Sequence, residues 1–311
     1  MKAAQINSYG GPDVLAIAEV SKPHISDGQV LVEIHAASIN PFDVYVRSGG
    51  VKEARPLSFP ATLGTDIAGI VTEIGPSIEH LSVGDKVYGS ASPLAGATGA
   101  FAEFAAIPEN NLAKMPSNAT FLEAASLPIT GISALQALTE HMNLTPGQKL
   151  LIHGGAGGIG SIAIQIAKHI GAYVVTTATG KGIEYVKQLG ANEVIDYKTQ
   201  KIEETSKDFD AVFDTVGGET YKKSFQILKK GGIIVSMVEK PNQELAEKYG
   251  VTTINQRSKV NSRHLQQLAK LVETGAVKPN IDKVFPLTEI RQAFQAFEHG
   301  GINGKIVLQI L

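Results

Sequence analysis

Residues 150–160, L-L-I-H-G-G-A-G-G-I-G, constrain the fold of this chain more than any other stretch. Leu150 to His153 form an apolar run of the length of a buried parallel strand. Gly155, Gly157 and Gly160 then fit G-x-G-x-x-G. Beyond them Ile159, Ile162, Ala163, Ile166, Ala167 and Ile170 recur at the spacing of one helix face until Gly171 stops it. The glycine pattern alone would fit a tight turn in any fold; the strand before it and the apolar helix after it narrow that choice. A pyrophosphate can sit on a helix N-terminus only if the turn is tight and no side chain blocks the backbone N–H groups. The segment therefore predicts a dinucleotide site built on Gly155, Ala156, Gly157, Gly158, Ile159 and Gly160.

The next strand, residues 173–177, runs into T-A-T-G-K-G, where an enzyme using NADH usually places an acid for the ribose hydroxyls. Ala178, Thr179 and Gly180 leave room there, and Lys181 brings positive charge suited to a 2′-phosphate, which favours NADPH. A solvated lysine in a first helical turn is the plainer alternative for Lys181.

With 311 residues, 43% hydrophobic and 19% charged, the chain has material for two domains with real cores. A net charge of −2 with scattered Lys and Arg gives no electrostatic footprint for nucleic acid or an anionic membrane. No apolar run reaches membrane-spanning length, and the first residues lack the apolar core of a signal peptide, so a cytoplasmic location is expected. The absence of cysteine excludes thiolate nucleophiles, disulfides and cysteine-ligated zinc, and the eight histidines show no tight ligand spacing. No metal site is expected.

The first hundred residues read as short strands between turns: Val30, Val32 and Ile34 alternate, followed by residues 67–74, 83–88 and 101–107. Such a series suggests a partly open β-barrel. From Thr120 the pattern changes. T-F-L-E matches a capping box opening a short helix that Pro128 should end, and a second helix is expected from about Ile132 to Met142. Strands alternating with helices then predict a doubly wound parallel six-stranded sheet of Rossmann type. The late strands at residues 283–287 and 305–310 fit the barrel better, so the expected division is 1–123 with 259–311 for the barrel and 124–258 for the nucleotide domain.

Five collinear motifs extend these readings: I-N-P-F-D-V-Y-V-R-S-G at 39–49, L-G-T-D-I-A-G-I-V-T-E-I-G at 63–75, V-G-D-K-V-Y-G at 83–89, H-G-G-A-G-G-I-G at 153–160 and F-D-T-V-G-G at 213–218. Through them the whole chain resembles the zinc-free quinone oxidoreductase branch of the medium-chain dehydrogenase/reductase superfamily. The resemblance implies an α/β protein with a GroES-like catalytic barrel and a Rossmann domain, usually a homodimer. Asn40 and Thr65 stand where zinc-dependent relatives carry a cysteine and a histidine ligand. The resemblance places Asn40, Asp43 and Tyr45 near nicotinamide and substrate, and Ser133 near the carboxamide. It puts Lys181 and Tyr197 around the 2′-phosphate, and Val216 and Gly217 beside the nicotinamide ribose. Val51 departs from relatives that carry a second tyrosine there.

The implied activity is NADPH-dependent, zinc-independent hydride transfer to a quinone or an α,β-unsaturated carbonyl, across a cleft between the two domains. An alternative is an NADPH-binding redox sensor or RNA-binding protein with little turnover. For hydride added to a conjugated acceptor, negative charge moves onto a delocalised oxygen, and no Lewis acid is required. Tyr45 and Asn40 are expected as donors to that oxygen, with Asp43 fixing the loop or orienting Tyr45. Activity should survive dialysis against chelators; zinc at one equivalent, with activity lost on its removal, would contradict the metal-free reading.

Overall fold

In a computed structural model of the chain, which describes residues 1–205 and 207–311, a hairpin not anticipated from the sequence comes first. Strands β1 (Lys2–Ile6) and β2 (Ala16–Glu19) pair antiparallel. Both are short, and β2 is nowhere fully buried, which weakens its hydrophobic pattern. Next come β3 (Gln29–Ser38), helix α1 (Pro41–Arg47), β4 (Ala61–Thr62), β5 (Asp66–Ile74), β6 (Lys86–Ser90), β7 (Phe104–Pro108), β8 (Leu112–Lys114) and helix α2 (Phe121–Ala125). β3 is the hub of these strands, because it pairs with both β5 and β7. β5 approaches so closely that a Cβ on Gly69 would lie 2.1 Å from the Glu33 carbonyl oxygen.

Thr120 caps α2 as the sequence suggests, its hydroxyl accepting from the Glu123 N–H and its own N–H reaching the Glu123 carboxylate. Pro128 does more than stop that helix: it opens α3 (Pro128–Leu135), which continues as a π-helical stretch over Gln136–His141. Proline lacks only an N–H that a first helical residue would leave unpaired, so the second helix begins four residues before the expected start.

After α3 the chain alternates: β9 (Lys149–Ile152), α4 (Gly158–Ile170), β10 (Tyr173–Ala178), α5 (Lys181–Gln188), β11 (Glu193–Asp196), α6 (Ile202–Thr205), β12 (Phe209–Asp214), α7 (Gly218–Ser224), β13 (Leu228–Ser236), α8 (Gln243–Tyr249) and β14 (Thr252–Asn255). These six strands form one parallel sheet in the order β11-β10-β9-β12-β13-β14, the Rossmann arrangement. The order reverses beside β9, so the loop after β9 lies at the switch point. Leu151, Val175, Val212 and Ile234 from the central strands enter one core with Phe225 and Ile227.

The C-terminal segment contributes α9 (Ser262–Glu273), β15 (Ile281–Pro286), α10 (Ile290–His299) and β16 (Lys305–Gln309). β16 pairs antiparallel with β3 and parallel with β15, completing a seven-stranded sheet with β5, β6, β7 and β8. Phe294 of α10 meets Phe101 edge-to-face, and both are fully buried in the barrel core. The chain thus falls into two compact units. The first comprises Met1–Ile129, Val260–Glu273 and Pro279–Leu311; the second comprises Thr130–Lys259 and Thr274–Lys278. Among the described residues no helix is long and apolar enough to cross a membrane.

Candidate functional site

In the second unit the loop between β9 and α4 is as tight as its glycines suggest. Gly154 adopts φ +72°, and its N–H and that of Gly155 donate to the hydroxyl and carbonyl of Thr177. A Cβ on Gly155 would lie 2.0 Å from the Thr176 hydroxyl, and one on Gly160 would lie 2.2 Å from the Gly154 carbonyl oxygen. Gly155 and Gly160 are therefore needed for packing. Ala156, Gly157, Gly158 and Ile159 stay half-buried, so a ligand can approach their backbone. The first-turn N–H groups of α4 have no acceptor within the helix and suit the pyrophosphate of a dinucleotide. These residues fit the expected cofactor.

At the end of β10, Thr179 is half-buried, whereas Gly180 and Lys181 are exposed. Gly180 precedes α5 with φ +54° and open space around its Cβ position. The structure adds a carboxylate that the sequence argument missed. Asp196, at the end of β11, accepts from the Lys198 N–H and the Thr179 hydroxyl, which hold it below the usual carboxylate range. Parallel pairing of β10 with β11 makes Ala178 and Asp196 register partners, 18 positions apart in the chain. Tyr197 follows with an exposed ring.

Asp214 organises the next loop. One carboxylate oxygen accepts from the N–H groups of Val216 and Gly217 at 3.0 and 2.9 Å; the other accepts from the Ser236 hydroxyl at 2.7 Å. Val216 faces outward, whereas Gly217 is buried at φ +81°. The Thr215 hydroxyl donates to the His153 carbonyl at 2.8 Å, tying this loop to the glycine turn. His153 itself is fully buried. The Ser224 hydroxyl donates to the Thr220 carbonyl and so accepts from His153 Nε2–H, which leaves Nδ1 without a hydrogen-bond partner. Burial pulls the imidazole down to about 4, and the Asp214 charge opposes that pull. Ser133 is also fully buried, its hydroxyl 2.7 Å from that of Ser258 and its carbonyl accepting from Gln256 Nε2.

In the first unit Asn40, Asp43 and Thr65 converge with two residues that the sequence argument did not select, Asp66 and Lys305. Asn40 caps α1, and Pro41 occupies the first turn. The Asp43 carboxylate accepts from the Asn40 N–H at 2.8 Å and from the Thr65 hydroxyl at 2.9 Å. The Asn40 amide nitrogen donates to Asp66 at 3.0 Å, and its carbonyl oxygen accepts from the Lys305 ammonium. Lys305 also donates to the Ile39 carbonyl at 2.8 Å and lies 4.0 Å from Asp66. Asp66 takes further hydrogen bonds from the Ser38 hydroxyl and the Ile129 N–H. All five of these side chains are buried.

This geometry revises the roles suggested for the loop. The Asn40 amide faces Asp66 inside the protein, so on α1 the hydroxyl facing outward is that of Tyr45, which is 53% exposed. Its ring lies against Gly50, where a Cβ would come within 2.1 Å of it. Among the described residues no group of three or more His, Cys, Asp or Glu is arranged to hold a metal ion.

Burial pushes the Asp43 carboxyl up to about 6, against the hydrogen bonds from Thr65 and Asn40. Burial pushes Asp66 up to about 7, with Lys305 opposing and the Asp43 charge adding to the rise. For Lys305, burial lowers the ammonium below its ordinary value, while both carboxylates resist. A carboxyl whose folded value is raised stabilises the fold fully below its unfolded value and loses that contribution as pH climbs through the folded value. His153 works in the opposite sense, losing its contribution as pH falls from about 6.5 towards about 4. The melting temperature of Asp66→Asn, measured against wild type, should therefore rise steadily between about pH 4 and about pH 7. A constant difference over that range would show that Asp66 does not titrate as assigned.

Comparison with known proteins gives two family matches along the chain. The alcohol dehydrogenase GroES-like domain family matches residues 26–117, and the zinc-binding dehydrogenase family matches residues 189–308. The chain is 37% identical to a 2-methylene-furan-3-one reductase of Solanum lycopersicum over 99% of its own length and 79% of that protein. It is 34% identical to an NADPH-dependent alkenal/one oxidoreductase, chloroplastic, of Arabidopsis thaliana, with the same coverage. The crystal structure of Escherichia coli quinone oxidoreductase complexed with NADPH superimposes with a TM-score of 0.90 at 26% identity, covering 100% of both chains. With its GroES-like and Rossmann units and relatives of this kind, the chain belongs to the zinc-free quinone oxidoreductase branch of the medium-chain dehydrogenase/reductase superfamily.

Proposed function

We propose that this protein is an NADPH-dependent reductase that transfers hydride to quinones or α,β-unsaturated carbonyls without a metal ion. One observation carries the metal-free part: the two side chains at the zinc-ligand positions are built into a protein network, Asn40 between Lys305 and Asp66, and Thr65 on Asp43. Relatives named for alkenal/one reduction and for quinone reduction support the two acceptor classes.

When bound, NADPH supplies hydride from C4 of its nicotinamide. Its pyrophosphate is held by the first-turn N–H groups of α4 and by the backbone of Ala156 and Gly157. Gly155 and Gly160 keep that turn tight. Thr179, Gly180, Lys181 and Tyr197 take the 2′-phosphate end, and Val216 and Gly217 border the nicotinamide ribose. Ser133 has no exposed surface for direct contact with the carboxamide, so its part is to hold Ser258 and Gln256. Hydride addition at the β carbon of an enone, or at a quinone, leaves an oxyanion that then takes a proton, ultimately from solvent. The Tyr45 hydroxyl donates to that oxygen as charge develops. Asn40 and Asp43 act through the backbone that positions Tyr45. A homodimer, implied by the family resemblance, and a cytoplasmic location, where a chain without cysteine is unexceptional, belong to the same proposal.

A panel of quinones and enones assayed with NADPH and NADH tests the reaction, and turnover of neither class would refute it. Lys181→Ala should raise KM for NADPH by about tenfold and leave that for NADH nearly unchanged, as expected for an exposed charge-assisted phosphate contact. Equal effects on the two cofactors would mean that Lys181 does not read the 2′-phosphate. Tyr45→Phe should lower kcat by between about tenfold and about a hundredfold, since water can partly replace a donor this exposed, with NADPH affinity unchanged. Wild-type turnover, with hydride transfer shown by an isotope effect to limit the rate, would remove Tyr45 from the mechanism.

A further inference from the structure

We propose that Lys305 is a positioning residue for this reduction: its buried ammonium grips the junction between β3 and α1 and so fixes the helix that presents Tyr45. The inference rests on the reading of Tyr45 given above, but its geometry lies wholly within the first unit. Lys305 is the first residue of β16, 265 positions from Asn40, and it reaches the Ile39 carbonyl and the Asn40 side-chain oxygen. Asn40 is the cap of α1, its N–H bound by Asp43 one turn into the helix, and Tyr45 lies two residues beyond Asp43. Displacing Asn40 therefore moves the short helix that carries Tyr45.

The choice of a lysine is informative. Asp66 already has hydrogen bonds from Ser38, Asn40 and Ile129, so it is not short of donors. Lys305 gives two of its donors to oxygens of the β3–α1 junction and stands back from Asp66 at 4.0 Å. A residue serving only to neutralise Asp66 would be expected to sit closer to the carboxylate than to the loop.

Three variants and four measurements separate positioning from charge balance. Lys305→Met removes the ammonium while keeping a stem of similar length. In this variant kcat should fall by about tenfold to a hundredfold, the range expected for a misplaced catalytic group, while the dissociation constant for NADPH, read by its fluorescence, stays within about twofold. Amide hydrogen exchange over residues 40–47 should quicken by about tenfold. The double variant Lys305→Met with Asp66→Asn removes both charges. It should regain the melting temperature of Asp66→Asn, but keep the low kcat and the fast exchange. If Lys305→Met alone does not fold, the double variant compared with Asp66→Asn decides the matter. Recovery of kcat and slow exchange in the double variant would overturn the proposal and leave Lys305 as a counter-ion. Should the wild-type chain reduce no acceptor, the functional reading fails, and unchanged exchange in the variants would separately refute the hold of Lys305 on α1.

Discussion

A lysine ammonium inside a protein needs oxygen partners, and those available to Lys305 belong to Ile39, Asn40 and Asp66. That requirement couples the last strand of the chain to the short helix near its start. The opposite end of α1 is held in a comparable way. Arg47, buried to 2% exposure, donates to the Gly10 carbonyl and to Glu298, and its guanidinium lies 5.0 Å from the centre of the Phe294 ring. A seven-residue helix has little stability of its own. Here buried cations anchor both ends, leaving Tyr45 exposed on a fixed support.

The ring of polar groups around Asn40 contains two carboxylates and one ammonium in a place with almost no water access. Asp43 is compensated chiefly by hydrogen bonds from Thr65 and Asn40, and Asp66 by the Lys305 charge together with hydrogen bonds from Ser38, Asn40 and Ile129. Removing one member of such a network leaves the others buried and underpaired, which costs more than the net strength of any single bond. Asn40 and Thr65 are thus members of a mutually dependent set. Its function in the fold is to hold the loop that opens α1, which leaves the Tyr45 phenol facing outward.

The second unit ties its loops together with hydroxyls and a single carboxylate. Thr177 receives the glycine turn, Thr215 ties the turn to the loop after β12, and Asp214 with Ser236 fixes that loop against the one after β13. Because all these loops follow the carboxyl ends of parallel strands, their backbone N–H groups gather at the switch point of the sheet. His153 beneath the turn is kept neutral by burial, so it adds packing without competing for an anion.

The sequence by itself determined the Rossmann sheet, the glycine turn and the place of α4, because these depend on local periodicity and on positions where only glycine fits. It also determined that Asn40 and Thr65 would offer no thiolate or imidazole to a metal. Short elements were less legible. β1 is short with burial that does not alternate, β2 is nowhere fully buried, and Pro128 reads as a stop although proline serves equally well as a helix start. Only the tertiary structure could bring Lys305 and Asp66 to Asn40, set Asp196 beside Thr179, and turn the Asn40 amide inward. These pairings rest on strand register and on a buried charge seeking partners across 265 positions, and neither leaves a local pattern in the chain.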